Sequence, residues 1–390
     1  MSETLSRAAT PGIYHSPNVR HFSRMDLGGA GQVTIKGNYA YLGYMYGPEG
    51  TSILDISDPK KPKVLSTLML KAPGSHSHKV RVVQDDIMIV NSELRGPVSG
   101  PYEDGGFRIY DVKDKTNPKL IHFEKTHGKG VHRFDCDDTY AYISTEMEGF
   151  VGNILVIYDI RNPAKPVEVS RWWMPGQNVA AGETPNPKKA QHRLHHALRA
   201  GDKMYAGCWM SGFAIIDVSD IGHPKTLCLY DVHPPALEPS HTLLKVPFPI
   251  KGREIALGTD EERSGRGGDE GKPHAPLYVF DVTDPTAMKL LAEYHVPESA
   301  SPYNAPGMRF GAHQFREEMT DTRTFVTWFA AGLRILDIAD PVNPQEVGYF
   351  IPEPGKGHKA PQTNDVEMDH RGLLFITDKA RGFDVIEFDG

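Results

Sequence analysis

One pattern recurs along the chain: a short apolar run that ends on Asp and leads into a turn. It reads "TSILDISDPKKPKVL" (51–65), "FRIYDVKDKTNPKLI" (107–121), "LVIYDIRNPAKPVEV" (155–169), "FAIIDVSDIGHPKTL" (213–227), "LYVFDVTDPTAMKLL" (277–291) and "LRILDIADPVNPQEV" (333–347). The shared aspartates are Asp55, Asp111, Asp159, Asp217, Asp281 and Asp337. Each run is rich in β-branched and aromatic residues and reads as a strand. Asp caps its own backbone and Pro presets φ, so a tight turn follows. Upstream lie hairpins such as "TIKGNYAYLGY" (34–44), "FDCDDTYAYIS" (134–144) and "LRAGDKMYAGC" (198–208). The unit is therefore four strands. It cannot bury both faces alone, so copies must stack. Four-stranded units repeated around an axis are propeller blades.

Six units are complete. A seventh, "NDVEMDHRGLLFITDKARGFDVIEF" (364–388), stops after its third strand. The stretch "NVRHFSRMDL" (18–27) is expected to supply the fourth and close the ring. The expectation is an all-β, seven-bladed β-propeller, one domain over 1–390, with 364–390 as the last blade. The 38 Gly and 31 Pro suit its many turns.

A net charge of −7 with interspersed signs carries no nucleic-acid footprint. Lys79, Arg81, Arg133, Lys379 and Arg381 are scattered and expected to solvate the surface. No run approaches the length of a membrane span. The first twenty residues lack the apolar core of a secretory leader. Cys136, Cys208 and Cys228, without CxxC spacing, are expected as reduced thiols in a cytoplasmic protein.

Histidines stand where first strands begin. Alignment on the first hairpin puts Gly31, His78, His132, His195, His241, His313 and Asp365 at one position around the ring. First strands line the central channel, so five imidazoles and a carboxylate are expected to converge at one mouth. Clustered imidazoles without partners are costly, and a bound metal removes that cost. Imidazole suits first-row transition metals rather than Ca²⁺ or Mg²⁺. The expected cofactor is one transition-metal ion, Fe(II) preferred, with Mn, Cu or Zn behind it. His76 competes with His78, and His196 faces away from His195. His127, His192, His233, His274 and His358 are expected in ordinary surface roles.

Second-strand ends return to the same mouth. Glu93, Glu146 and Glu261 are candidate acid/base groups or imidazole holders, as is Asp365. Tyr44, Trp209, Trp328 and Arg381 are candidates for substrate binding, with Phe329 beside them. The loops 174–193 and 297–311 are expected to wall the site. The Gly-rich 263–274 precedes no helix and reads as a loop.

The segments "LVIYDIRNP", "LYVFDVTDP" and "LRILDIADP" resemble the LVIVD-repeat family of bacterial and archaeal propellers. That resemblance implies the fold and leaves function open. The site plan is similar to that of carotenoid-cleavage oxygenases, which hold Fe(II) on four axial histidines backed by glutamates. It is also similar to selenium-binding proteins, methanethiol oxidases with an axial His-rich copper site. The chain lacks the CxxC of the latter and the dome insertions of the former. These resemblances imply redox chemistry. The expected function is a metal-dependent oxidoreductase of oxygenase type, acting on a small, aromatic or conjugated organic acid. A metal-dependent lyase or hydrolase and a non-catalytic scaffold are the alternatives. Partners are expected to be a small-molecule substrate, with neither nucleic acid nor membrane.

Overall fold

The computed structural model describes residues 12–71, 74–96, 102–186, 192–263, 273–304 and 307–390. Most of the Gly-rich segment 263–274, and the tip of the 174–193 loop, lie outside these.

The strands run up and down in fours. Ala30–Lys36, Tyr39–Tyr44, Glu49–Asp55 and Lys63–Met69 form one antiparallel sheet in sequence order. The order repeats in Val80–Val83, Ile87–Leu94, Gly106–Asp111 and Lys119–Lys125, and again from His127–Cys136 to Val167–Trp172. Three further groups begin at His192–Ala200, Ser240–Lys245 and Ala312–Phe315. Thr363–Met368, Leu373–Asp378 and Gly382–Phe388 take their fourth partner from the other end of the chain. Val19–Asp26 pairs there, from Val19↔Phe388 to Asp26↔Gly382. First strands touch in succession, and Thr363–Met368 lies against Ala30–Lys36.

The repeated Asp does the same work in each unit. Asp55 Oδ1 accepts from the Ser57 N–H at 2.9 Å, Asp159 from Arg161 at 3.0 Å and Asp337 from Ala339 at 2.8 Å. The runs before it are buried on both faces. Leu155 and Ile157 pack with Leu194, Ala206 and Ile216, while Val156 and Tyr158 pack with Phe107, Ile109 and Phe134. Each such side chain contributes about 1.5–3 kcal/mol by leaving water. This two-sided burial is why the runs are apolar throughout rather than alternating.

The scattered cations are not on the surface. Lys79, Arg133 and Arg381 are each at most 3% exposed. First-strand side chains alternate, and Lys79 and Arg133 point into the space between first strands, where Glu317 meets Lys79 and the Gln314 amide oxygen meets Arg133. Lys79 Nζ lies 2.8 Å from Glu317 Oε1, and Arg81 pairs with the same carboxylate.

Candidate metal centre and its cationic mouth

First strands leave ladder register where they begin. The shift falls between Val131 and Arg133, Ser240 and Thr242, Ala312 and Phe315, Thr363 and Asp365, and Ala30 and Val33. A bulge re-aims the extra residue, here His132, His241, His313, Asn364 and Gly31. Hydroxyls of the preceding unit fix the bulged backbone. Thr259 Oγ1 donates to His313 O at 3.0 Å, Thr327 Oγ1 to Asn364 O at 3.1 Å and Thr377 Oγ1 to Gly31 O at 2.6 Å. Where Gly207 replaces that Thr, a Cβ would come 2.3 Å from His241 O.

This series corrects one placement. Asn364, not Asp365, is the counterpart of His313 and Gly31. The bulge consumes a residue, and a one-residue slip turns the next side chain elsewhere. Asp365 Oδ2 accepts from the Val33 N–H at 3.0 Å, and burial pushes its carboxyl up to about 6 against the pull of Lys79.

The five expected histidines do converge, and His76 joins them. Along the arc, ring centroids are 4.7 Å apart for His76 and His78, 5.1 Å for His78 and His132, and 4.6 Å for His132 and His195. The arc continues at 4.3 Å for His195 and His241 and 4.4 Å for His241 and His313. His195 Nδ1 donates to His241 O at 2.9 Å and His313 Nδ1 to Asn364 O at 2.6 Å. Those bonds fix the tautomer and turn the Nε2 lone pairs into the arc. His132 Nε2 and His195 Nε2 lie at hydrogen-bond distance, 2.8 Å apart. His241 Nε2 is fully buried and makes no hydrogen bond among the described residues. Burial holds His78, His195, His241 and His313 well below the ordinary imidazole range. His196 sits one residue deeper, its Nδ1 3.4 Å from Thr242 Oγ1.

Two carboxylates belong to the arc. Glu93 Oε2 lies 2.7 Å from His132 Nδ1 and 2.9 Å from His76 Nε2. Burial raises its pKa, but His132 and His76 outweigh that and hold it ionised. Glu261 is 4.0 Å from both His241 Nε2 and His313 Nε2, and its other contact is Arg309 Nη2 at 2.5 Å. Glu146 lines the same cavity but accepts from the Lys129 N–H at 2.9 Å. Buried lone pairs, fixed tautomers and an orphaned Nε2 are what a transition-metal site requires, so the residues fit a metal.

Above the arc opens a cavity of about 660 Å³ lined by His76, His132, Trp209, Arg193, Arg309 and Lys379 among others. Trp209 stacks on His195 with centroids 4.6 Å apart, and Arg193 lies 4.6 Å from its ring. Phe329 meets His313 at 4.8 Å, with the Arg309 guanidinium 3.7 Å and Lys379 Nζ 5.2 Å from its centroid. Three expected substrate residues do not line this cavity. Tyr44 is buried, with its hydroxyl 3.0 Å from Ser52 Oγ. Trp328 is fully buried against Tyr294. Arg381 donates to Glu353 O at 2.7 Å and pairs with that glutamate's carboxylate, pinning a loop. His274 is not a surface residue either: its Nδ1 lies 2.7 Å from buried Glu262 Oε2, its Nε2 3.4 Å from Glu298. Sequence reasoning missed Arg309 and Arg193, which sit at the inner ends of the two long loops and carry no motif.

Residues 27–69, 137–172, 200–232 and 324–351 match the family model of the LVIVD repeat. The chain carries LVIVD repeats. No curated protein matches the sequence. Among solved structures, the LVIVD-repeat chain is similar to the β-propeller domain of Myceliophteria thermophila Cps50 (Swd1). The identity is 14% and the TM-score 0.58, over 97% of this chain and 99% of that one. The periplasmic gluconolactonase PpgL of Pseudomonas aeruginosa aligns at 12% identity and TM-score 0.55, over 82% and 85% of the two chains. The computationally designed Ika8 protein aligns at 8% identity and TM-score 0.54, over 94% and 98%. At such identities the likeness is of fold: the LVIVD repeats here build an all-β propeller.

Proposed function

We propose that this propeller is a single seven-bladed domain, closed by the 19–26 strand, and that it is a metal-dependent oxidoreductase acting on a small organic acid. The arc of imidazoles carries the reading, above all the buried His241 Nε2, which makes no hydrogen bond among the described residues. His132, His195, His241 and His313 would hold the metal, with His78 and His76 completing the arc. Iron is preferred, and manganese, copper or zinc follow. When bound, iron, manganese or copper would supply one-electron chemistry and open coordination positions, whereas zinc would act only as a Lewis acid.

The protein's own groups do the rest. Glu93 holds the His132 ring and adds negative charge beside it. Glu261, kept ionised by Arg309, is placed to accept a proton from a substrate over His241 and His313. Lys379 and Arg193 give the mouth positive charge for a carboxylate, and Trp209 lines the cavity beside Arg193. Burial of the arc keeps bulk water away.

A redox-neutral hydrolase is the second reading, favoured by the fold-level likeness to a gluconolactonase. Metal analysis with O₂-uptake assays over small aromatic and conjugated acids separates the two. Metal together with acid-dependent O₂ uptake supports the oxidoreductase. Metal with ester or lactone hydrolysis and no O₂ uptake supports the hydrolase. Folded protein that takes up no metal overturns both.

A further inference from the structure

We infer that the arc holds two metal ions: one on His76, His78 and His132 with Glu93 beside them, the other on His195, His241 and Glu261 with His313 beside them. The inference rests on the reading of the arc as a metal site and changes its stoichiometry.

The donors divide spatially. Ligand atoms of His76, His78 and His132 all lie within 4.8 Å of one another, and so do those of His195, His241 and Glu261. An ion ligated at about 2.1 Å spans donors no more than about 4.2 Å apart. The donors of the arc do not fall into one group of mutually close atoms but into two groups that share no residue.

The carboxylates are duplicated in the same way. Glu93 meets His132 and His76 of the first set. Glu261 lies equally far from His241 and His313 of the second. No glutamate crosses the boundary. The first set is thus three imidazoles with Glu93 at its edge, the second two imidazoles and a carboxylate with His313 at its edge, and each complement suits one divalent ion.

The sets meet at His132 and His195, whose Nε2 atoms are 2.8 Å apart. Two ions held on either side of that contact would be close neighbours, as in paired-metal sites. The sequence shows how the count is reached. Five units supply one bulge-position histidine each, while Gly31 and Asn364 supply none. "SHSH" at 75–78 gives a sixth, because the Ser75–His76 strand pairs His76 with Glu93 and turns it into the arc.

The test is titration of metal-stripped full-length protein with Co²⁺ or Cu²⁺ alone, followed by equilibrium dialysis. Two ions per chain are expected in wild type, and one in His76→Ala and in His241→Ala. Cu²⁺-loaded wild type should show a spin-coupled pair with most of the isolated-ion EPR signal lost, and either variant should restore that signal. One ion in wild type, with binding abolished by either substitution, overturns the pair and leaves a mononuclear site. No binding by folded wild type overturns the metal site itself. Circular dichroism checks the variants, and the wild-type count decides the matter even if one of them unfolds.

Discussion

His132 Nδ1 lies 2.7 Å from Glu93 Oε2, although the two residues belong to neighbouring units. The same oxygen is 2.9 Å from His76 Nε2. One carboxylate therefore orients the His132 ring by a hydrogen bond and lies within ion-pair distance of His76. Glu93→Gln keeps the shape and removes the charge. Loss of such an outer partner typically costs about 10- to 100-fold in metal affinity. Dialysis of wild type and variant against one metal buffer measures it. Equal affinities would show that Glu93 only fills space.

The mouth gathers cations that the sequence scatters. Arg193 and Lys379 line the cavity beside Trp209 and Phe329. Charge-assisted hydrogen bonds contribute about 1.5–3 kcal/mol each. Arg193→Gln and Lys379→Gln should each weaken benzoate binding about tenfold or more and leave benzamide nearly unchanged. Benzoate binding should also fall with added salt. Calorimetry on metal-loaded protein tests this, and equal losses for the acid and the amide would mean the rim selects by shape alone.

The units were legible because their strands pair with sequence neighbours and the turn residues repeat. The convergence of His78, His132, His195, His241 and His313 was legible for the same reason. The bulges were not. A bulge changes which residue faces inward without changing the apolar pattern, so Asp365 was placed where Asn364 stands. Trp328 and Tyr44 lie at the right strand ends, yet their side chains enter cores between units. The burial of Lys79 and Arg133 was hidden because their acidic and polar partners, Glu317 and Gln314, lie far along the chain.

The pairing of Val19–Asp26 with Gly382–Phe388 depends on one backbone approach. Gly382 has φ +134, and a Cβ there would sit 2.4 Å from Leu27 N and 2.5 Å from Met25 O. Gly382→Ala must push the 19–26 strand away or strain the turn, at a cost of about 1–3 kcal/mol. Removing residues 1–28 should cost more, since the last unit then keeps an open edge. Thermal melts of the two variants measure this. Wild-type stability after the deletion would show that the strand is dispensable.

His274 offers a pH test away from the arc. Burial lowers its pKa, but Glu262 and Glu298 outweigh that and raise it above the ordinary value. The folded state thus holds the proton more tightly than the unfolded one. The stabilisation is complete below about pH 6.5 and is lost as pH rises through the raised folded value. His274→Gln should therefore be most destabilised relative to wild type below the ordinary imidazole value, and the difference should shrink as pH rises through the raised folded value. Urea denaturation at several pH values checks this. A pH-independent difference would mean that packing on Phe310 is the only role of the ring.

Deeper in the channel, Glu317 ties the ring together. It takes Lys79 Nζ at 2.8 Å, the Arg81 guanidinium and Gln314 Nε2 at 2.8 Å. Lys79 follows His78 on its strand, while Glu317 follows the strand of His313, so the pair joins units at opposite ends of the histidine arc. Lys79 is 2% exposed and Glu317's side chain 9%. Glu317→Gln leaves two buried cations facing a neutral amide. Breaking a buried pair from one side costs about 3–5 kcal/mol. Replacing both partners by apolar residues is often nearly neutral, so Lys79→Met with Glu317→Leu should recover much of the loss, with the remainder set by the unpaired Arg81. Chemical denaturation of the single and double variants compares them. If the single variant is as stable as wild type, the charges are already well solvated through the lower mouth, and the ion pair is not what holds these units in register.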